Sequence, residues 1–124
     1  MAANRPITVG PVALTTTLTT NILNCAVTSL AGPVGITLSQ PYLLIKHVRV
    51  TNKTGSAATV SLWLGASGAN TAGTEVLWQA TSVAANSYVD WYGTLRMSDT
   101  QFLVGGSGTA TALTFQAEGE VGFQ

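Results

Sequence analysis

The chain has 124 residues, and its five basic and five acidic side chains cancel to no formal net charge at pH 7. Charged residues make up only 8% of it, against roughly a quarter in ordinary soluble domains. The missing basic excess disfavours sequence-independent nucleic-acid binding, and the single Cys25 excludes an intrachain disulfide framework and a cysteine-rich zinc site.

A chain of this length forms one domain able to bury a core without staples. Cys25, between Asn24 and Ala26, reads as a small buried apolar residue. A nearly uncharged surface resists association poorly, whereas the centres of permanent interfaces are depleted of charge. Composition therefore favours an assembled protein over a lone monomer; the alternative is that Thr, Ser, Asn and Gln supply the polarity by themselves. The first six residues, MAANRP, lack the apolar run of a signal peptide. Nowhere do about 18 apolar residues follow one another, the length a membrane-spanning helix needs. Synthesis in the cytoplasm, without leader or membrane anchor, is expected.

In chain order, residues 1–11 read as an N-terminal arm carrying Ile7 and Val9, and 12–124 as a β-sandwich domain. The Thr-rich stretch from residue 7 to 24 either adds a strand to a neighbouring molecule or completes this chain's own sheet. Val12, Leu14, Leu18 and Ile22 share one parity, and Val34, Ile36 and Leu38 repeat it after the Gly32-Pro33 turn. Residues 42–52 are dense in Leu, Ile and Val, and a turn follows at 53–56. Val60, Leu62 and Leu64 then alternate with Thr59, Ser61 and Trp63. Further strands are predicted at 75–80, 87–92, 101–104 and 111–123, where Leu113, Phe115, Ala117, Val121 and Phe123 share a parity. Alternation with period two marks strands with one buried face. Thr and Gly, both poor in helix interiors, are abundant. The reading is an all-β, single-domain antiparallel sandwich, jelly-roll-like, with eight or nine short strands; a small barrel is the alternative. Residues 65–74 (GASGANTAGT) and 105–108 (GGSG) read as an exposed hairpin tip and a flexible turn.

Chemistry-bearing residues are few. Lys46, His47, Arg49 and Lys53 cluster in sequence and read as a solvated strand edge. His47 is the only imidazole, and pairing it with Cys25 as a thiol protease requires an orienting group and an oxyanion site that nothing signals. Glu118 and Glu120, two apart on a strand, fall about 6.5–7 Å apart, which overlaps the separation in inverting glycosidases. Such enzymes place their carboxylates on opposite sides of a sugar, so Glu118-Gly-Glu120 reads better as a protected edge strand. No catalytic, cofactor-binding or metal-binding residue is assigned, and no cofactor is expected. Trp63, Trp78, Trp91 and Tyr92, with Tyr88, are candidates for an interface or for stacking on a glycan; Ile7 and Val9 join them as candidate interface residues on the arm.

The succession IKHVRVTNKT (45–54), ATVSLWLG (58–65), VAANSY (83–88), DTQFLV (99–104) and EGE (118–120) resembles small β-sandwich virion proteins of tailed bacteriophages, over roughly residues 42–121. The resemblance implies a non-enzymatic capsid decoration or cement protein first, and a neck, tail or adsorption protein second. Its implied partners are a major capsid or other virion protein and further copies of itself, a trimer favoured, with no nucleic acid or membrane and a glycan possible for the adsorption role. The motif encodes strands and turns, so no functional residue is carried over. Far-ultraviolet circular dichroism of the pure protein is expected to show a β spectrum; a helix content above about a quarter would defeat this reading.

Overall fold

The computed structural model describes residues 4–24 and 41–123. Among them, alternation becomes eight strands and no helix: β1 (Arg5–Ala13), β2 (Asn21–Asn24), β3 (Pro41–Asn52), β4 (Ala58–Gly65), β5 (Thr81–Val83), β6 (Ser87–Met97), β7 (Phe102–Ser107) and β8 (Leu113–Phe123). One sheet has the order β1-β8-β3-β6 and the other β2-β7-β4-β5. The pairs β1–β8, β2–β7, β3–β6 and β4–β5 are antiparallel and nested along the chain. That nesting is what one long hairpin gives when it is folded so that successive pairs fall in alternate sheets. Contacts of β3 with β8 and of β4 with β7 close each sheet, and the result is a jelly-roll sandwich. Val34, Ile36, Leu38 and Cys25 lie outside the described residues.

The core between the sheets is built from Leu43, Ile45, Val48 and Val50 of β3, Val60 and Leu62 of β4, Met97, Leu103, Leu113 and Phe115, all fully buried or nearly so. Burying one such side chain is worth about 1.5–3 kcal/mol, against about 0–1 kcal/mol for an exposed ion pair. The apolar layer therefore dominates stability. Among the described residues, the polar side chain with no exposed surface is Asn52. Its Nδ2 donates to the carbonyls of Ser56 (2.8 Å) and Val83 (3.1 Å), and its Oδ1 accepts from the backbone N–H (2.9 Å) and Oγ1 (2.7 Å) of Thr54. All four hydrogen-bonding positions of the amide are used, so Asn52 ties the β3–β4 turn to β5 without a desolvation deficit.

Several boundaries differ from the sequence reading, each for a local reason. Of the expected arm, residues 5–11 belong to β1, which runs to residue 13 and pairs with β8 from Arg5↔Val121 to Ala13↔Thr114. Ile7, Val9 and Val12 pack against the core, so the stretch completes this chain's own sheet. Residues 14–20 are loop, separating β1 from β2. The strand expected at 75–80 is a single bridge, Trp63↔Glu75. Beyond it Leu77, at φ 60°, sits in a tight turn closed by the Trp78 N–H on the Val76 carbonyl at 2.6 Å, a γ-turn geometry. Gly105 and Gly106 are buried residues of β7, not a flexible turn. A Cβ on Gly105 would come 2.0 Å from the Ser61 carbonyl oxygen, and one on Gly106 2.3 Å from that of Thr15. These glycines admit a neighbouring backbone. Glu118 and Glu120 are on β8, which lies between β1 and β3 and is no edge.

One irregularity organises the first sheet. Between matching inward positions, β8 has Ala117 and Gly119, β3 has Val48 and Ile45, and β6 has Trp91 and Leu95. The interval grows from two residues to three to four, so the strands fan and the sheet bends, as at a β-bulge. On β3 the added residue switches the inward parity from Leu43 and Ile45 to Val48 and Val50. Gly119 is required at the bend, since a Cβ there would lie 1.9 Å from the Leu44 carbonyl oxygen. Gly119→Ala is expected to lower stability in urea unfolding by about 1–3 kcal/mol. Gly65→Ala, where an added Cβ meets nothing within 4 Å, should stay within about 0.5 kcal/mol of the parent.

Candidate functional site

Because of the bend, His47 and Arg49 leave the core and emerge on the outer face of the β1-β8-β3-β6 sheet. His47 pairs across the strands with Glu118 of β8 on one side and Tyr92 of β6 on the other. Its Nε2 lies 2.8 Å from Oδ1 of Asp90 and its Nδ1 3.0 Å from Oε1 of Glu118. The Tyr92 ring stacks on the imidazole at 4.4 Å between centroids, nearly parallel. Arg49 grips the same Asp90 with two bonds, Nε to Oδ1 at 2.7 Å and Nη2 to Oδ2 at 3.1 Å, and its guanidinium lies over Tyr88, 4.4 Å from the ring centroid. Toward the other end of the face Arg96 lies over Tyr42 at 4.1 Å. The Tyr42 hydroxyl donates to Asn4 Oδ1, whose Nδ2 donates to Glu120. An open depression of about 430 Å³ runs between Pro6, Thr8, Lys46, His47, Tyr92, Glu118 and Glu120.

The electrostatics follow from this geometry. The hydrogen bond to Asp90, supported by Glu118 and opposed by partial desolvation, raises the His47 pKa above its ordinary 6.5. The Arg49 guanidinium first, then His47, hold Asp90 below its ordinary 3.8. His47 therefore contributes stability that is complete below pH 6.5 and lost as pH rises through its raised value; Asp90 contributes stability present above pH 3.8 and lost as pH falls through its lowered one. Both contributions are in force between those two limits.

When protonated, His47 donates from both nitrogens and has no lone pair with which to act as a general base. The two carboxylates also sit at opposite nitrogens of the ring, so the three side chains do not converge on one point. Among the described residues no group of His, Cys, Asp and Glu could hold a metal ion, and no helix is long and apolar enough to cross a membrane. What the face offers is a rigid aromatic and hydrogen-bonding platform.

The sequence-nominated residues divide. Tyr92, 70% exposed, stands on the platform; Tyr88, 53% exposed, stands beside it. Trp63 does not serve as an exposed contact. It points away from the main core, as its parity requires, yet it is 6% exposed beside the fully buried Val104 of β7. Its Nε1 has no hydrogen-bond partner among the described residues. Trp91 shares the inward row with Val89 and packs on the core, and Trp78, Ile7 and Val9 are likewise half-buried against it. His47, Asp90, Arg49 and Glu118 were missed as a unit. The one available signal was the broken alternation of Leu43, Ile45, Val48 and Val50.

Fold and face together define, among the described residues, an eight-stranded jelly-roll module whose outer sheet surface carries a charge-paired aromatic platform. Comparison with protein-family models, with curated proteins and with solved structures finds no match for this chain. His47 is the only histidine, so one imidazole resonance reports the cluster. In an NMR titration it is expected to have its midpoint above 6.5, and Asp90→Asn should shift that midpoint downward. An unshifted midpoint in the variant would remove Asp90 as the cause.

Proposed function

We propose that the protein is a non-enzymatic structural component of a tailed-bacteriophage virion, a capsid decoration or cement protein that binds the capsid lattice through protein–protein contacts. The observation that carries the reading is the pair Tyr88 and Tyr92, the two large apolar side chains that stand exposed among the described residues. Both are held by basic side chains on one sheet face, His47 against Tyr92 and Arg49 over Tyr88. Tyr and Arg are the residue types that dominate binding energy at protein interfaces, and side chains already fixed by neighbours lose little freedom on binding. The resemblance of residues 42–121 to phage virion proteins supplies the setting, and the jelly-roll fold is compatible with it.

A second reading is favoured by the depression beside Tyr92. An exposed ring flanked by Lys46, His47, Glu118 and Glu120 offers the stacking surface and polar groups that a glycan needs, as an adsorption protein would use. Co-sedimentation with capsids against a glycan array separates the two. On the first reading Tyr88→Ala/Tyr92→Ala weakens capsid binding by about 2 kcal/mol or more, roughly thirtyfold in Kd. Binding should also survive about 1 M salt, where the Debye length falls to about 3 Å. Release by salt alone, or glycan binding by the free protein with none to capsids, would count against the cement role.

A further inference from the structure

The two sheets have four lateral edges, and three are guarded. β1 carries Pro6 and Pro11, which have no N–H to donate, and a register shift between Val9 and Val12. β2 has four residues and a register shift of its own, and β5 has three residues. Short strands, prolines and irregularities are the devices by which edges avoid pairing with another chain. β6 is neither short nor broken by proline, and its one register shift, against β3 between Tyr92 and Leu95, keeps the parity of its side chains. It is 11 residues long, contains no proline, and keeps strict alternation, with Val89, Trp91, Leu95 and Met97 toward the core and Tyr88, Asp90, Tyr92 and Arg96 outward. It pairs with β3 on one side, and among the described residues no strand lies on the other.

The order of residues along β6 says what fits there. We propose that β6 is a self-association edge, on which a second copy of this chain pairs its own β6 antiparallel about a two-fold axis at Gly93. In that register Asp90 lies opposite the partner's Arg96, and Arg96 opposite the partner's Asp90. Tyr92 faces Thr94, Trp91 faces Leu95 and Val89 faces Met97, so apolar residues meet apolar ones on the core side and charges meet their opposites on the outer side. Sliding the axis by one residue puts Asp90 opposite Thr94 or Ser98 and loses both charge pairs. The contact is isologous, as a two-fold dimer requires, and it joins the two outer faces into one eight-stranded sheet with two His47–Tyr92 stacks near its centre. It is independent of the virion reading, and it differs from the three-fold arrangement that the resemblance implies.

The test uses the full chain in light scattering coupled to size exclusion. The parent should have twice the chain mass. Arg96→Glu and Asp90→Lys, each checked for its β spectrum, should each weaken the dimer about tenfold or more, because each sets two pairs of like charges opposite one another. Mixed in equal amounts they should dimerise again, since in the heterodimer both pairs are of opposite sign. Should Asp90→Lys not fold, Tyr92→Cys/Thr94→Cys in a Cys25→Ser background reads the same register. It should form an interchain disulfide on mild oxidation, and Tyr92→Cys alone should not. A monomeric or trimeric parent, a dimer indifferent to Arg96→Glu, a mixture that stays monomeric, or no disulfide in the double-cysteine chain would each overturn the proposal.

Discussion

One added residue in β3, between Ile45 and Val48, is the constraint on which the outer face depends. Without it, the parity of Leu43 and Ile45 would continue through His47 and Arg49, and two cationic side chains would point into an apolar core. Burying an unpaired charge costs several kcal/mol, so no regular strand could hold this sequence. The bend sends Val48 and Val50 inward instead and delivers His47 and Arg49 to Asp90 and Glu118. Gly119 makes room for it on β8 by having no Cβ to meet the Leu44 carbonyl. On β6 the longer outer arc is spanned by Gly93 and Thr94.

The same bend explains how a charge-poor chain distributes its charges. Lys46, Arg49, Asp90, Arg96, Glu118 and Glu120 all project from this one face, three of each sign, and His47 adds a positive charge when protonated. Exposed pairs of this kind add little stability each. Their effect is geometric: Arg49 holds Asp90 by two bonds, Asp90 and Glu118 hold His47 from both sides, and the cations hold the tyrosine rings. A platform fixed in this way presents aromatic surface without having to order it on binding.

The aromatics show how far parity carries. Tyr88 and Tyr92 are outward on β6 by simple alternation, and they are exposed. Trp91 is inward by the same rule. Trp63 obeys the rule too, yet it is buried, because the outer side of the β2-β7-β4-β5 sheet is not a solvent face at that point. Alternation separates the two faces of a strand; it does not say which face meets water.

Period-two alternation determined by itself that the chain is all-β, where most strands run, and which residues of β4 and β8 fill the core, because each strand buries one face and pattern alone records that. It also held the turn at 53–56, though not Asn52 as the buried clamp of that turn. Tertiary structure decided the rest. It made residues 5–13 an edge strand and not an arm, since whether an extended segment pairs at home or abroad depends on which partner strand is free. It turned Gly105 and Gly106 from a presumed flexible turn into close-packed strand, because a missing Cβ has the same spelling in both. It also assembled His47, Arg49, Asp90 and Glu118 from three strands, up to 71 residues apart between His47 and Glu118. No local signal encodes such a distance; only the register of β3 between β8 and β6 does.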